Sequence, residues 1–167
     1  VTLGNFLIKR VVYEIQEELP HIKNFGTLSP IPGFTDWLRY VEEPKIKNIL
    51  TSFKNQDVSF LKSQDLKLGD SRIIENKEEI KKLVAHYIVN EKNQQGLPMN
   101  DVTRFHLGNG AIVEDIVLNA NISEQGFKGS YGVMVNYLYE LNYIEKNHED
   151  YMNNNKVIVS DKIKKYL

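Results

Sequence analysis

Cysteine is absent from this 167-residue chain, so disulfides, thiolate metal sites and thiol nucleophiles are excluded from it. A surplus of charge is missing too: 21 Lys and Arg stand against 22 Asp and Glu. A net charge of −1 offers no long-range attraction to a polyanion, and no nucleic-acid partner is expected. No apolar run approaches the roughly 18 residues of a membrane span, and no basic stretch leads into a hydrophobic one as in a secretory signal. A membrane partner is therefore not expected either. The four histidines form no HExxH-like pair, and no metal is expected. A G-x-S-x-G elbow, a Walker-type glycine loop and a dinucleotide fingerprint are likewise missing. There is no internal repeat, low-complexity tract or Gly/Ser linker. What is present, 41% apolar and 26% charged residues, is the composition of one globular domain. The opening on Val1 rather than methionine leads us to expect a piece of a longer chain.

Periodicity predicts helices interleaved with few strands, a layered α/β domain. A first helix runs from about Gly4 to Pro20, with Leu7, Val11, Ile15 and Leu19 at four-residue spacing, Ile8 and Val12 widening the stripe, and Asn5 as its cap. HIKNFGTLSP reads as extended, and Pro30, Pro32 and Gly33 as a turn. FTDWLRYVEE reads as a helix broken by Pro44, followed by a short one carrying Ile46, Ile49, Leu50 and Phe53. The polar stretch from Asn55 to Arg72 reads as a connection. A strong helix begins at Asn76, with Glu79 completing a capping-box pair and Ile80, Leu83, Val84, Tyr87 and Ile88 forming one face. NDVTRFHLGNG predicts a short helix capped by Asn100 and stopped at Gly108. AIVEDIVLNANI and SYGVMVNYLYEL predict strands, ISEQGFKGS a glycine turn, and SDKIKKYL a helical tail. The acidic runs ENKEE and KNHED read as solvated faces.

Three places offer chemistry. In VTLGNF, free amides at a helix start and the positive end of its dipole suit a phosphate or diphosphate, although most such ends meet only water. In TLSPIPGF, Ser29 precedes a proline and is held extended on a stiff backbone, as a positioned hydroxyl or as an incidental part of a turn. In RFHLGNGA, His106 ends a helix before two glycines that would admit a ligand closely. It reads as a proton carrier or as an ordinary surface or core histidine.

Together the blocks GNFLIKRVV, TLSPIPGFTDWL, RFHLGNGA, YGVMVNYLY and IEKNHEDY resemble the malonyl-CoA decarboxylase family, in that family's order. The stretch from about Lys45 to Asn93 matches mainly in helical character. The resemblance implies a GNAT-like acyl-CoA-binding α/β fold lacking its first strands here, with a mostly helical insertion over residues 44–98. It makes residues 1–167 the C-terminal part of the catalytic domain, without the helical domain through which the family forms homo-oligomers. A sheet without its first strands would expose an unpaired edge.

Residue by residue, the resemblance implies that Ser29 contacts the thioester as proton acceptor and that His106 is the proton donor. It places Val1, Thr2, Leu3, Gly4 and Asn5 in a malonyl-CoA-binding loop, and Tyr139 in the pocket wall. Thr2 departs from relatives that carry a carboxylate. Lys9, Arg10 or Lys23 would assist at the coenzyme A diphosphate. The implied reaction converts malonyl-CoA to acetyl-CoA and CO2 with no cofactor, because the thioester serves as the electron sink. Two other readings stay open: a GNAT-type acyltransferase using an amine acceptor, and a non-catalytic malonyl-CoA-binding module. The closeness of YGVMVNYLYELNYIEKNHEDY to bacterial members leads us to expect a bacterial cytoplasmic origin. A mitochondrial one stays open, and KYL is not the peroxisomal SKL.

Overall fold

The computed structural model describes residues 4–63 and 65–167, with side chains from Ile8 onward. Helix α1 spans Gly4–Glu18, so Asn5 lies within its first turn rather than capping it. Its buried line is Ile8 and Val12, while Val11 and Leu19 are each 43% exposed. Of the expected stripe, Ile8, Val12 and the half-buried Ile15 turn inward and Val11 does not, while Leu19 lies past the helix end and the Leu7 side chain lies outside the described residues.

Strand β1, Asn24–Pro30, follows. Gly33, at φ 81°, turns the chain into helix α2, Phe34–Tyr40. Only a residue without Cβ is comfortable at that φ. Pro44 does not merely end this helix. It sits in the first turn of α3, Glu43–Ile49, where a missing N–H costs nothing.

The polar connection carries more structure than its composition suggests. A 3-10 turn at Ser59–Lys62 and helix α4, Ser71–Glu75, pin Val58, Leu61, Leu66 and Ile73 into the core. Helix α5, Lys77–Val89, buries Ile80, Leu83, Val84, Tyr87 and Ile88 as expected. The capping box does not form, because Asn76 turns its amide to Arg72 O and its side-chain oxygen to Asn55.

Helix α6, Asp101–Gly108, is capped by Asn100, whose oxygen accepts from Thr103 N at 2.9 Å. Strand β2, Ile112–Val117, is shorter than expected. The expected glycine turn is instead helix α7, Glu124–Ser130, capped by Ser123. Its Gly126 is required by packing, since a Cβ there would meet the Asn121 side chain at 2.2 Å.

Strand β3, Met134–Glu140, is central. Helix α8, Ile144–Asn154, covers the acidic run read as a solvated face, yet it buries Ile144, Asn147 and Tyr151. Helix α9, Asp161–Lys164, closes the chain.

The strands form one antiparallel sheet in the order β1-β3-β2. Alternation along β3 sends Val135, Tyr137 and Tyr139 to the helix-covered face and leaves Asn136 and Leu138 on the other. The same alternation in β1 turns Ser29 inward and leaves Leu28 48% exposed. Among the described residues β1 pairs with β3 alone. The architecture is thus mixed α/β around a small antiparallel sheet.

Candidate active site

Register brings the site together. Ser29 pairs with Val135 near the end of β1, and Tyr139 lies on the same face of β3, paired with Phe25. The last turn of α6 lowers His106 onto this surface. Its Nε2 is 2.8 Å from Ser29 Oγ, and its Nδ1 is 2.7 Å from the Tyr139 hydroxyl. Ser29 also donates to Thr27 Oγ1 at 3.2 Å. All three groups are nearly covered: Ser29 is 7% exposed, His106 5% and Tyr139 1%.

Among the described residues, one histidine tautomer gives the Tyr139 and Ser29 hydroxyls each a partner. Among the described residues, Nδ1 is the hydrogen-bond partner of the Tyr139 phenol, and a buried phenol proton must be donated somewhere. Tyr139 therefore donates to Nδ1. The ring proton is then on Nε2 and points at Ser29 Oγ, while the serine proton goes to Thr27. The Tyr139 and Ser29 hydroxyls are both satisfied in this direction.

Burial penalises the charged form of the imidazole and lowers its pKa from 6.5 to about 4. The same effect raises the pKa of Tyr139, which keeps it a neutral donor. A serine hydrolase has a superficially similar line, but there a carboxylate stabilises the imidazolium that forms when histidine takes the serine proton. Here a neutral phenol stands in the carboxylate's place. The imidazole is a poor base and a preserved N–H donor, suited to giving a proton rather than to activating a nucleophile.

The loop after His106 is filled from within. Gly110, at φ 83°, has the Ile144 carbonyl oxygen 2.2 Å from where a Cβ would stand. His148 donates to Gly108 O at 2.7 Å, and Asn147 to Gly110 O at 3.2 Å. Gly110 admits α8 closely.

Of the other expected residues, Val1, Thr2 and Leu3 lie outside the described residues, and Gly4 and Asn5 open α1. Lys9 pairs with Glu145 at 3.2 Å, Arg10 with Glu14 at 2.7 Å, and Lys23 is exposed. A hollow of about 530 Å³ bounded by Glu43, Lys47, Asp57 and Lys62 belongs to the helical region and includes neither Ser29 nor His106. Among the described residues, no group of three or more His, Asp or Glu is placed to hold a metal, and no helix is long and apolar enough to cross a membrane.

Sequence reading missed Thr27, Asn100, Thr103 and Tyr137 as parts of this site. Two-residue spacing from Ser29 and Tyr139 would have found Thr27 and Tyr137. Asn100 and Thr103 carry no such signal beyond the helix cap.

The profile of the malonyl-CoA decarboxylase C-terminal domain matches residues 1–167. The chain belongs to the malonyl-CoA decarboxylase family. It is 33% identical over 185 residues to the mitochondrial malonyl-CoA decarboxylase of Anser anser anser, covering all of this chain and 36% of that one. To the mitochondrial malonyl-CoA decarboxylase of Mus musculus it is 34% identical over 181 residues, covering 98% of this chain and 37% of the relative. The crystal structure of malonyl-CoA decarboxylase from Cupriavidus metallidurans superposes with a TM-score of 0.83 at 36% identity, over 100% of this chain and 44% of that one. That from Rhodopseudomonas palustris gives 0.79 at 34% identity, over 99% and 38%. Relatives of the malonyl-CoA decarboxylase family thus occur in bacteria and among mitochondrial proteins, and this chain spans between 36% and 44% of the length of these four.

Proposed function

We propose that this chain carries the proton-handling centre of a carboxy-lyase that converts malonyl-CoA to acetyl-CoA and CO2. The observation that carries the reading is the Tyr139–His106–Ser29 line, with its single donor direction ending at Ser29. The family supplies the substrate class.

Breaking the bond to the carboxylate leaves its electron pair on the α carbon, delocalised into the thioester as an enolate. With substrate bound, Ser29 turns its proton from Thr27 to the thioester oxygen and stabilises the charge as it develops. The enolate carbon takes the proton from His106 Nε2, and solvent returns one to the ring. A neutral imidazole suffices, because a thioester enolate carbon is a far stronger base than imidazolate. The thioester is the electron sink, so the step draws on no cofactor.

The same reading puts the coenzyme A diphosphate at the start of α1, with Val1, Thr2, Leu3, Gly4 and Asn5 as its loop; helix-end amides favour such an anion. Of the basic candidates, Lys9 and Arg10 lie within the first two turns of α1, whereas Lys23 lines a hollow beside Gln16 toward the far end of that helix, so Lys9 or Arg10 is the nearer to the diphosphate. We read the fold as the C-terminal part of a GNAT-like acyl-CoA domain, with residues 44–98 as its helical insertion. The outer edge of β1 would take the preceding strands, and the longer relatives would carry the oligomer-forming domain. A cytoplasmic bacterial setting fits the bacterial neighbours.

The deciding experiment is incubation of the full chain with malonyl-CoA and no amine acceptor. Release of CO2 with formation of acetyl-CoA is expected. Thermal stabilisation by malonyl-CoA without product would leave a binding module, and turnover only with an amine would make it an acyltransferase.

A further inference from the structure

The His106 ring lies against the buried ring of Tyr137, with centroids 4.2 Å apart and planes 17° from parallel. The Tyr137 hydroxyl is 2.8 Å from Thr103 Oγ1. Thr103 spends its own proton on Asn100 Oδ1 at 3.1 Å, so Tyr137 is the donor in that pair. The Asn100 amide in turn donates to Pro32 O at 2.8 Å, where the Tyr87 hydroxyl also donates, at 3.2 Å. Tyr137, Thr103 and Asn100 are all buried. Pro32 belongs to the rigid SPIPG turn that begins at Ser29. This directed chain therefore runs from the surface under the imidazole back to the backbone that presents the serine.

A helix cap alone does not require this arrangement. Aspartate at position 100 would serve Thr103 N as well, but an ionised carboxylate could not also donate to Pro32 O. Asparagine carries an acceptor and a donor on one planar group and does both. Likewise, phenylalanine at 137 would fill the same volume and stack on the same ring.

We propose that Asn100, Thr103 and Tyr137 are positioning residues that set the distance and tilt of His106 relative to Ser29 by tethering both to Pro32. The proposal rests on the reading of His106 as proton donor, and it concerns how that donor is held. Proton transfer is steep in geometry, and displacement of a reacting group by about 1 Å can cost on the order of a hundredfold in rate.

The test uses Thr103→Val and Tyr137→Phe in the full chain. Each removes one hydroxyl and keeps the shape. Asn100→Asp keeps the cap and removes the donor of the tether. Expected is a fall in kcat of about tenfold with KM within about twofold of the starting value, and recovery with Thr103→Ser. Nitrogen NMR of the His106 ring supplies a readout independent of turnover. The single tautomer protonated on Nε2 should give way to an average of two in the Val and Phe variants.

A folded Thr103→Val protein with unchanged kcat and unchanged ring signals would overturn the proposal. So would equal losses with Thr103→Ser and Thr103→Val. If the unmodified chain releases no CO2, the decarboxylase reading fails; if His106→Ala still does so at full rate, the reading of His106 as proton donor fails. The ring signals still judge the tether in that case.

Discussion

The Tyr139 hydroxyl lies 2.7 Å from His106 Nδ1 and, having no carboxylate's charge, fixes the direction of the imidazole proton without making the ring a base. Removing that hydroxyl should free the ring to flip its tautomer. Tyr139→Phe is expected to lower decarboxylation about tenfold, the scale of one lost buried hydrogen bond, with little change in melting temperature. Steady-state turnover of malonyl-CoA checks it.

His106→Ala removes the proton donor itself and is expected to lower turnover by about 100-fold or more. Turnover in heavy water should place one deuterium in the methyl group of acetyl-CoA, which mass spectrometry reads directly. Survival of the rate in the alanine variant would end the assignment of His106.

Ser29→Ala takes away the hydroxyl that accepts from His106 Nε2. It should depress kcat more than it weakens coenzyme A binding, measured side by side by kinetics and calorimetry. Equal losses in both would reduce Ser29 to a binding contact.

Stability should depend on pH through His106. Its folded pKa is about 4, against 6.5 for an exposed ring, so between these values the unfolded chain binds more protons. The neutral ring's contribution is complete above about pH 6.5 and is lost as pH falls through 4, amounting to up to about 3 kcal/mol. Urea unfolding at several pH values should show this slope, and it should be shallower in His106→Gln.

Gly110→Ala should be severe although it adds only a methyl group. A Cβ would meet the Ile144 carbonyl at 2.2 Å, at a φ of 83°. A loss of about 3 kcal/mol or more is expected from the combined strain and clash, visible as a drop in the denaturation midpoint.

Much of this was legible from residue order. The apolar face of α5 and the cap at Asn100 emerged where local periodicity and local capping chemistry agree with what the core demands. Ser29 and His106 could be singled out by the stiffness of SPIPG and the position of the histidine at a helix end. Tyr139 was reached through family resemblance. Helices α7 and α8 were misread because their sequences, rich in glycine in one case and in polar residues in the other, carry weak local signals. Ser123 and the packing of Asn147 and Tyr151 are what hold them.

Local order could not determine that Ser29, 77 residues before His106, meets it at hydrogen-bond distance. That follows from the antiparallel register of β1 on β3 and from the seat of α6 against the Tyr137 ring. Nor could it tell that Gly110 makes room for α8. Hydrogen bonds and close packing act between neighbours in space, and for a strand and a helix far apart in the chain those neighbours exist only once the sheet has formed. Residue types set what each group is able to donate or accept; the fold chose the partners, and with them the direction of the proton.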